Sequence, residues 1–169
     1  MSKIPYPLEK IRAIVFDIDG VLSPATVPMR DDGVPRRMAN LKDGYAMMEA
    51  IRSGLDIIIL SGASSPGVRE RFERIGVKDF IDGKMDKLPV LKDLLEKKNL
   101  KPEEVAYVGD DCPDVPPMLY VGLPVTPIDG SADTKMIAKY ITDAVGGYGV
   151  AREVIEEIMR VKGTWPIKF

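Results

Sequence analysis

Phe16-Asp17-Ile18-Asp19-Gly20 places two carboxylates two residues apart, directly behind the apolar run Ile11 to Phe16. The run is short, β-branched and aromatic, and Gly20 ends it, so it reads as a strand buried on both faces. A carboxylate at the end of such a strand must be paired, hydrogen-bonded or bound to a cation. In an open parallel sheet, ligands bind at the carboxyl ends of the strands. The fold must therefore bring compensating groups to Asp17 and Asp19 from elsewhere in the chain.

Further apolar runs predict further strands at Asp56 to Leu60, Phe80-Ile81, Val105 to Val108, Pro124 to Pro127 and Tyr140 to Thr142. Helical patterns fall between them at Leu41 to Ser53, Pro66 to Ile75, Lys87 to Lys98, Val115 to Val121 and Ala132 to Ala138. A last amphipathic helix runs from Val150 to Val161, followed by a tail from Gly163 to Phe169. This alternation predicts an α/β fold: a doubly wound, mostly parallel sheet with helices on both faces, in one domain over residues 1–169. Residues 24–40 are rich in Pro, Arg and Asp. Asp32-Gly33 predicts a β-hairpin there, inserted after the first strand, with arms Thr26–Met29 and Val34–Ala39. Trp165 in the tail reads as packing on a partner or on nothing.

Two counts narrow the chemistry. The chain has no histidine, which excludes Ser-His-Asp and Cys-His catalysis and histidine metal sites. Its single cysteine, Cys112, excludes an intrachain disulfide and a multi-cysteine zinc site. A metal must then take oxygen ligands, which favours Mg²⁺. The net charge of −2 gives no field that would draw nucleic acid. No apolar run approaches the roughly 20 residues of a membrane span, and Met1 to Lys10 lacks a signal-like apolar core. The expected compartment is the cytoplasm.

Polar residues punctuate the ends of the predicted strands. The first offers Asp17 and Asp19, the second Ser61 and the segment after the third Lys87; the fourth offers Asp110, Asp111 and Asp114. If the first and fourth strands are neighbours, these acids converge on one crevice with a lysine and a hydroxyl. Acids, a hard cation, a lysine and small donors describe a phosphoryl-transfer site, and without histidine a carboxylate is the nucleophile. Other readings stand beside this one. Ser61, Asp111 and Asp114 also suit helix capping. Arg71 suits a solvated face, and Arg36, Arg37 and Lys42 suit either attraction of an anionic substrate or solubility of the insert.

The segments Asp17-Ile18-Asp19-Gly20-Val21, Ser61-Gly62, Lys87 and Gly109-Asp110-Asp111-Cys112-Pro113-Asp114 resemble the four ordered motifs of the haloacid dehalogenase superfamily of phosphatases. The short insert, Asn40-Leu41-Lys42-Asp43-Gly44-Tyr45 and Gly146-Gly147-Tyr148-Gly149 resemble the 3-deoxy-D-manno-octulosonate 8-phosphate phosphatases within it. That resemblance implies Asp17 as nucleophile and Mg²⁺ ligand. It implies Asp19 as general acid and then base, with its backbone carbonyl on the metal. Ser61, Gly62 and Lys87 would hold phosphate, Asp110 would complete the metal shell, and Asp111 and Asp114 would support it. Asn40, Lys42, Asp43, Gly44 and Arg71 occupy positions where the family touches substrate. The implied substrate is a phosphorylated sugar acid, and the implied assembly is a homotetramer whose neighbouring subunit closes each site. Many members carry Arg after the Ser/Thr-Gly of the second motif, and the related nonulosonate 9-phosphate phosphatases carry Glu; here the residue is Ala63. A phospho-receiver and an oligomerisation module are the non-enzymatic alternatives, although a receiver takes its phospho-aspartate from the third strand.

Overall fold

The structure is a computed structural model that describes residues 2–168. Six strands form it: β1 (Ala13–Phe16), β2 (Asp56–Leu60), β3 (Asp79–Ile81), β4 (Val105–Val108), β5 (Leu123–Thr126) and β6 (Tyr140–Ile141). Their spatial order is β3-β2-β1-β4-β5-β6, and every pairing is parallel. The expectation of a mostly parallel sheet thus becomes an all-parallel one among the described residues. β1 lies between β2 and β4, in register Phe16 to Ile59 on one side and Phe16 to Val108 on the other. The winding reverses at β1, so the crevice of a doubly wound sheet opens behind Phe16, where Asp17 begins.

The continuous apolar strands follow from this layering. Side chains alternate between faces with period two. Ile14, Phe16, Ile57, Ile59, Ala106 and Val108 join one core. Ala13, Val15, Ile58, Leu60, Val105 and Tyr107 join the other. Helices α1 (Leu41–Arg52), α2 (Pro66–Arg74) and α6 (Val150–Val161) cover the first face. Helices α3 (Lys87–Lys97) and α4 (Val115–Tyr120) cover the second, with the short α5 (Ala132–Ile137) at its margin. The apolar stripe of α6, with Val154, Ile155, Ile158 and Met159, packs against α1 and is fully buried.

Two expectations need correcting. Residues 24–40 do not form a two-stranded hairpin. Only Met29 and Pro35 pair, in an isolated antiparallel bridge, around a turn closed by Gly33 N–H to Arg30 O and Arg30 N–H to Val34 O. Pro28 and Pro35 stand in the two arms, and proline has no N–H to extend a ladder. Nor does Trp165 wait for a partner. It is 3% exposed and stacks edge-on against Tyr45, with the Arg152 guanidinium 4.5 Å from its ring centre. The far end of the tail, Phe169, lies outside the described residues.

Candidate active site

β1 delivers Asp17 to the switch point, where its N–H is fixed by Val108 O of β4. The chain then turns sharply: Leu22 and Ser23 N–H both donate to Ile18 O, and Gly20 N–H donates to Ser23 O. Gly20 has φ +84°, and a Cβ there would stand 1.9 Å from Asp110 Oδ2. Only glycine permits both that backbone and that approach. The glycine lets the first acidic loop lie directly against the fourth.

Asp114 organises the floor. It is 1% exposed and accepts hydrogen bonds from Lys87 Nζ at 2.7 Å, Tyr107 Oη at 2.8 Å and Asp110 N–H at 3.0 Å. It makes no side-chain cap for α4 itself, but its carboxylate also accepts from Asp111 N–H at 3.5 Å, capping the 3-10 turn Cys112–Asp114 that leads into α4. Lys87, the first residue of α3, is 2% exposed and also lies 3.0 Å from Asp17 Oδ1. One ammonium thus serves two carboxylates. Ser61, buried at the end of β2, is held by its N–H to Ile81 O. Asp17, Asp19, Ser61, Gly62, Lys87, Asp110, Asp111 and Asp114 line one cavity of about 310 Å³.

The electrostatics are unbalanced. Burial and then the Asp114 charge push Asp17 up to about 7, against the pull of Lys87. Burial, Asp114 and Asp17 push Asp110 up to about 8. Lys87 loses by burial but gains more from Asp17 and Asp114, so its ammonium is strengthened. Carboxylate oxygens of Asp17, Asp110 and Asp114 lie within 4.8 Å of one another. Asp17 Oδ1 is buried and has no partner beyond the Lys87 ammonium, which it shares with Asp114. Hard oxygen donors, surplus negative charge and an unsatisfied oxygen fit a divalent cation such as Mg²⁺.

The remaining candidates are placed differently. Arg71 lines an adjacent cavity of about 500 Å³, between residues 34–39 of the insert and the first turn of α2. Asn40, Lys42, Asp43 and Gly44 line neither cavity. Asn40 caps α1, accepting from Lys42 and Asp43 N–H. Asp43 is 3% exposed, accepts from Arg152 N–H at 2.7 Å in the first turn of α6, and is pushed up to about 6 by burial. Gly44 allows α1 to approach Arg71 of α2, whose Nη2 would stand 3.2 Å from a Cβ there. Two contributors had no distinct signal in the sequence. Tyr107 looks like any aromatic of a buried strand, and Arg37 looks like one of several charges on a polar insert. Arg37 in fact grips Asp19, with Nε to Oδ1 at 2.7 Å and Nη2 to Oδ2 at 2.8 Å.

The chain resembles known proteins over most of its length. The profile of the haloacid dehalogenase-like hydrolase family matches residues 73–154. A 3-deoxy-D-manno-octulosonate 8-phosphate phosphatase of Salmonella typhi is 37% identical over 155 residues, covering 92% of this chain and 82% of its own. Among solved structures, a probable phosphatase from Pseudomonas syringae pv. phaseolica superposes with a TM-score of 0.89 at 36% identity, covering 93% of this chain and 89% of its own. The 3-deoxy-D-manno-octulosonate 8-phosphate phosphatase of Moraxella catarrhalis, solved with magnesium, phosphate and KDO, superposes with a TM-score of 0.86 at 31% identity. That match covers 90% of this chain and 88% of the other.

Proposed function

This chain belongs to the haloacid dehalogenase-like phosphatases, and from that membership we propose that it hydrolyses 3-deoxy-D-manno-octulosonate 8-phosphate to the free sugar acid and phosphate. The observation that carries the proposal is the convergence of Asp17, Asp110, Asp114 and Lys87 on one cavity with Ser61 on its wall.

Asp17 is the nucleophile. Its carboxylate attacks phosphorus while Lys87 and the Ser61 hydroxyl hold the phosphate oxygens. The ester oxygen leaves as an alcohol, taking a proton from Asp19. Asp19 then withdraws a proton from water, and the resulting hydroxide attacks the aspartyl-phosphate and restores the Asp17 carboxylate. Asp17, Asp110 and the Asp19 carbonyl would hold Mg²⁺, which would supply positive charge to the phosphate. Asp114 keeps Asp110 and the lysine in place.

We assign the assembly to a homotetramer. Exposed Met29, Val34 and Met38 on the insert, with Leu41 and Tyr45 beside them, support a neighbouring subunit against the mouth of the site. A doubly charged phosphate ester does not cross a bilayer unaided, so we place the reaction in the cytoplasm.

Phosphate release from a panel containing this ester, a nonulosonate 9-phosphate and common hexose phosphates, with and without Mg²⁺, tests the reading. The expected result is Mg²⁺-dependent turnover with the eight-carbon ester fastest. Equal rates across the panel would remove the assigned specificity, and full activity after exhaustive chelation would remove the metal.

A further inference from the structure

We propose that Arg37 is the positioning residue for Asp19: it holds that carboxylate on the boundary between the two cavities and aims it at the bond that breaks. This rests on the reading of Asp19 as acid and base given above.

The geometry is specific. Two parallel bonds from one guanidinium fix both the position and the plane of the Asp19 carboxylate. The Arg37 side chain is 4% exposed, whereas that of Asp19 is 44% exposed. The other insert arginines behave differently: Arg30 is exposed and pairs with Asp32 at the turn, and Arg36 is exposed. Arg37 is also anchored to the loop it serves. The next residue, Met38, donates its N–H to Ser23 Oγ at 3.0 Å. Ser23 is fully buried, donates its own N–H to Ile18 O and forms a bridge with Asp19. An arginine from the insert is therefore bolted to the acid loop by backbone on one side and by its fork on the other.

The pair stands where a substrate must pass. Asp19 lines the cavity that holds Asp17, Ser61 and Lys87. Arg37 lines the larger cavity with Ile18, Leu22 and Arg71. An ester with its phosphate in the first and its carbon chain in the second carries its scissile oxygen past the Asp19–Arg37 contact. When the P–O bond breaks, the proton moves from the Asp19 carboxyl to that oxygen, and a water later returns one. Each transfer needs one Asp19 oxygen free, so one of the two Arg37 bonds opens while the other keeps the carboxyl aimed. Lysine could supply the charge but not the fork.

Single-turnover release of the leaving group with Mg²⁺ tests this. Nitrophenolate departs without a proton, whereas a sugar alcohol needs one. Arg37→Gln is expected to slow alcohol release roughly ten-fold, and to slow nitrophenol release from p-nitrophenyl phosphate about five-fold less, a fraction of the 10²–10⁴ that a general acid itself contributes. Arg37→Lys should recover part of the loss, and Arg37→Gln should add nothing to Asp19→Asn. Equal slowing of both esters, or additivity with Asp19→Asn, would overturn the proposal. Alcohol release at the parental rate in Asp19→Asn would instead remove the acid role of Asp19, and the proposal with it.

Discussion

Lys87 is the residue that lets Asp17, Asp110 and Asp114 crowd together, and it is not enough. Asp17 and Asp110 are both raised, to about 7 and about 8, because burial and the neighbouring acids outweigh its single charge. The consequence for stability has a definite sign. A carboxylate whose folded pKa lies above its unfolded one binds its proton more tightly in the folded state, so stability falls as pH rises through the folded value. A divalent cation replaces those protons. Without metal, the melting temperature is expected to fall between about pH 5 and about pH 8, and Mg²⁺ to raise it more at the upper pH than at the lower. An Mg²⁺ increment that is equal or smaller at the upper pH would count against a metal among these acids. At this scale the sequence was most legible for Asp17, Asp110 and Lys87, because acids and a lysine at strand ends have few structural uses. It was least legible for Tyr107 and Arg37. Asp114 follows Tyr107 by seven residues and Asp19 precedes Arg37 by 18, each beyond an irregular loop whose path no periodicity announces.

At the scale of elements, the strands and helices were readable because the central strands β1, β2, β4 and β5 are buried on both faces and the longer helices on one. The insert was not, since Asp32-Gly33 signals a turn whether or not prolines deny its arms a ladder. The joint between α1 and α6 was equally hidden. Gly149, before α6, has no side chain to cap it, and Asp43 of α1 supplies the acceptor for Arg152 N–H from 109 residues away. That carboxylate is buried and pushed up to about 6, and its Oδ2 has no hydrogen-bond partner. Ionised Asp43 therefore opposes folding, by up to roughly 3 kcal/mol once pH exceeds its folded pKa. Asp43→Asn keeps an acceptor and removes the charge. It is expected to be more stable than the parent at about pH 8 in urea unfolding, with the advantage shrinking as pH falls through about 6. An advantage that does not vary with pH would show that Asp43 is not the titrating group.

Across the whole molecule, parallel winding, the reversal at β1 and the glycine at position 20 all lead to the same place. The sheet carries Asp17 to the crevice, β4 brings Asp110 and Asp114 beside it, and α3 begins with the lysine that pairs with Asp17 and Asp114. The Gly-rich loop after β6 reinforces this from the far edge, since Gly147 N–H donates to Val21 O and Gly146 packs on Gly20. The insert adds the wall of the second cavity and the arginine that steadies Asp19. Everything in this account turns on phosphorus being attacked by residue 17. The direct measurement is a rapid acid quench during turnover with Mg²⁺, followed by borohydride reduction and peptide mass analysis. Homoserine is expected at position 17 in the parent and none in Asp17→Asn, which also loses phosphate release. Phosphate released in step with substrate loss, with no reduction product at position 17 or with the product at another acid, would contradict it.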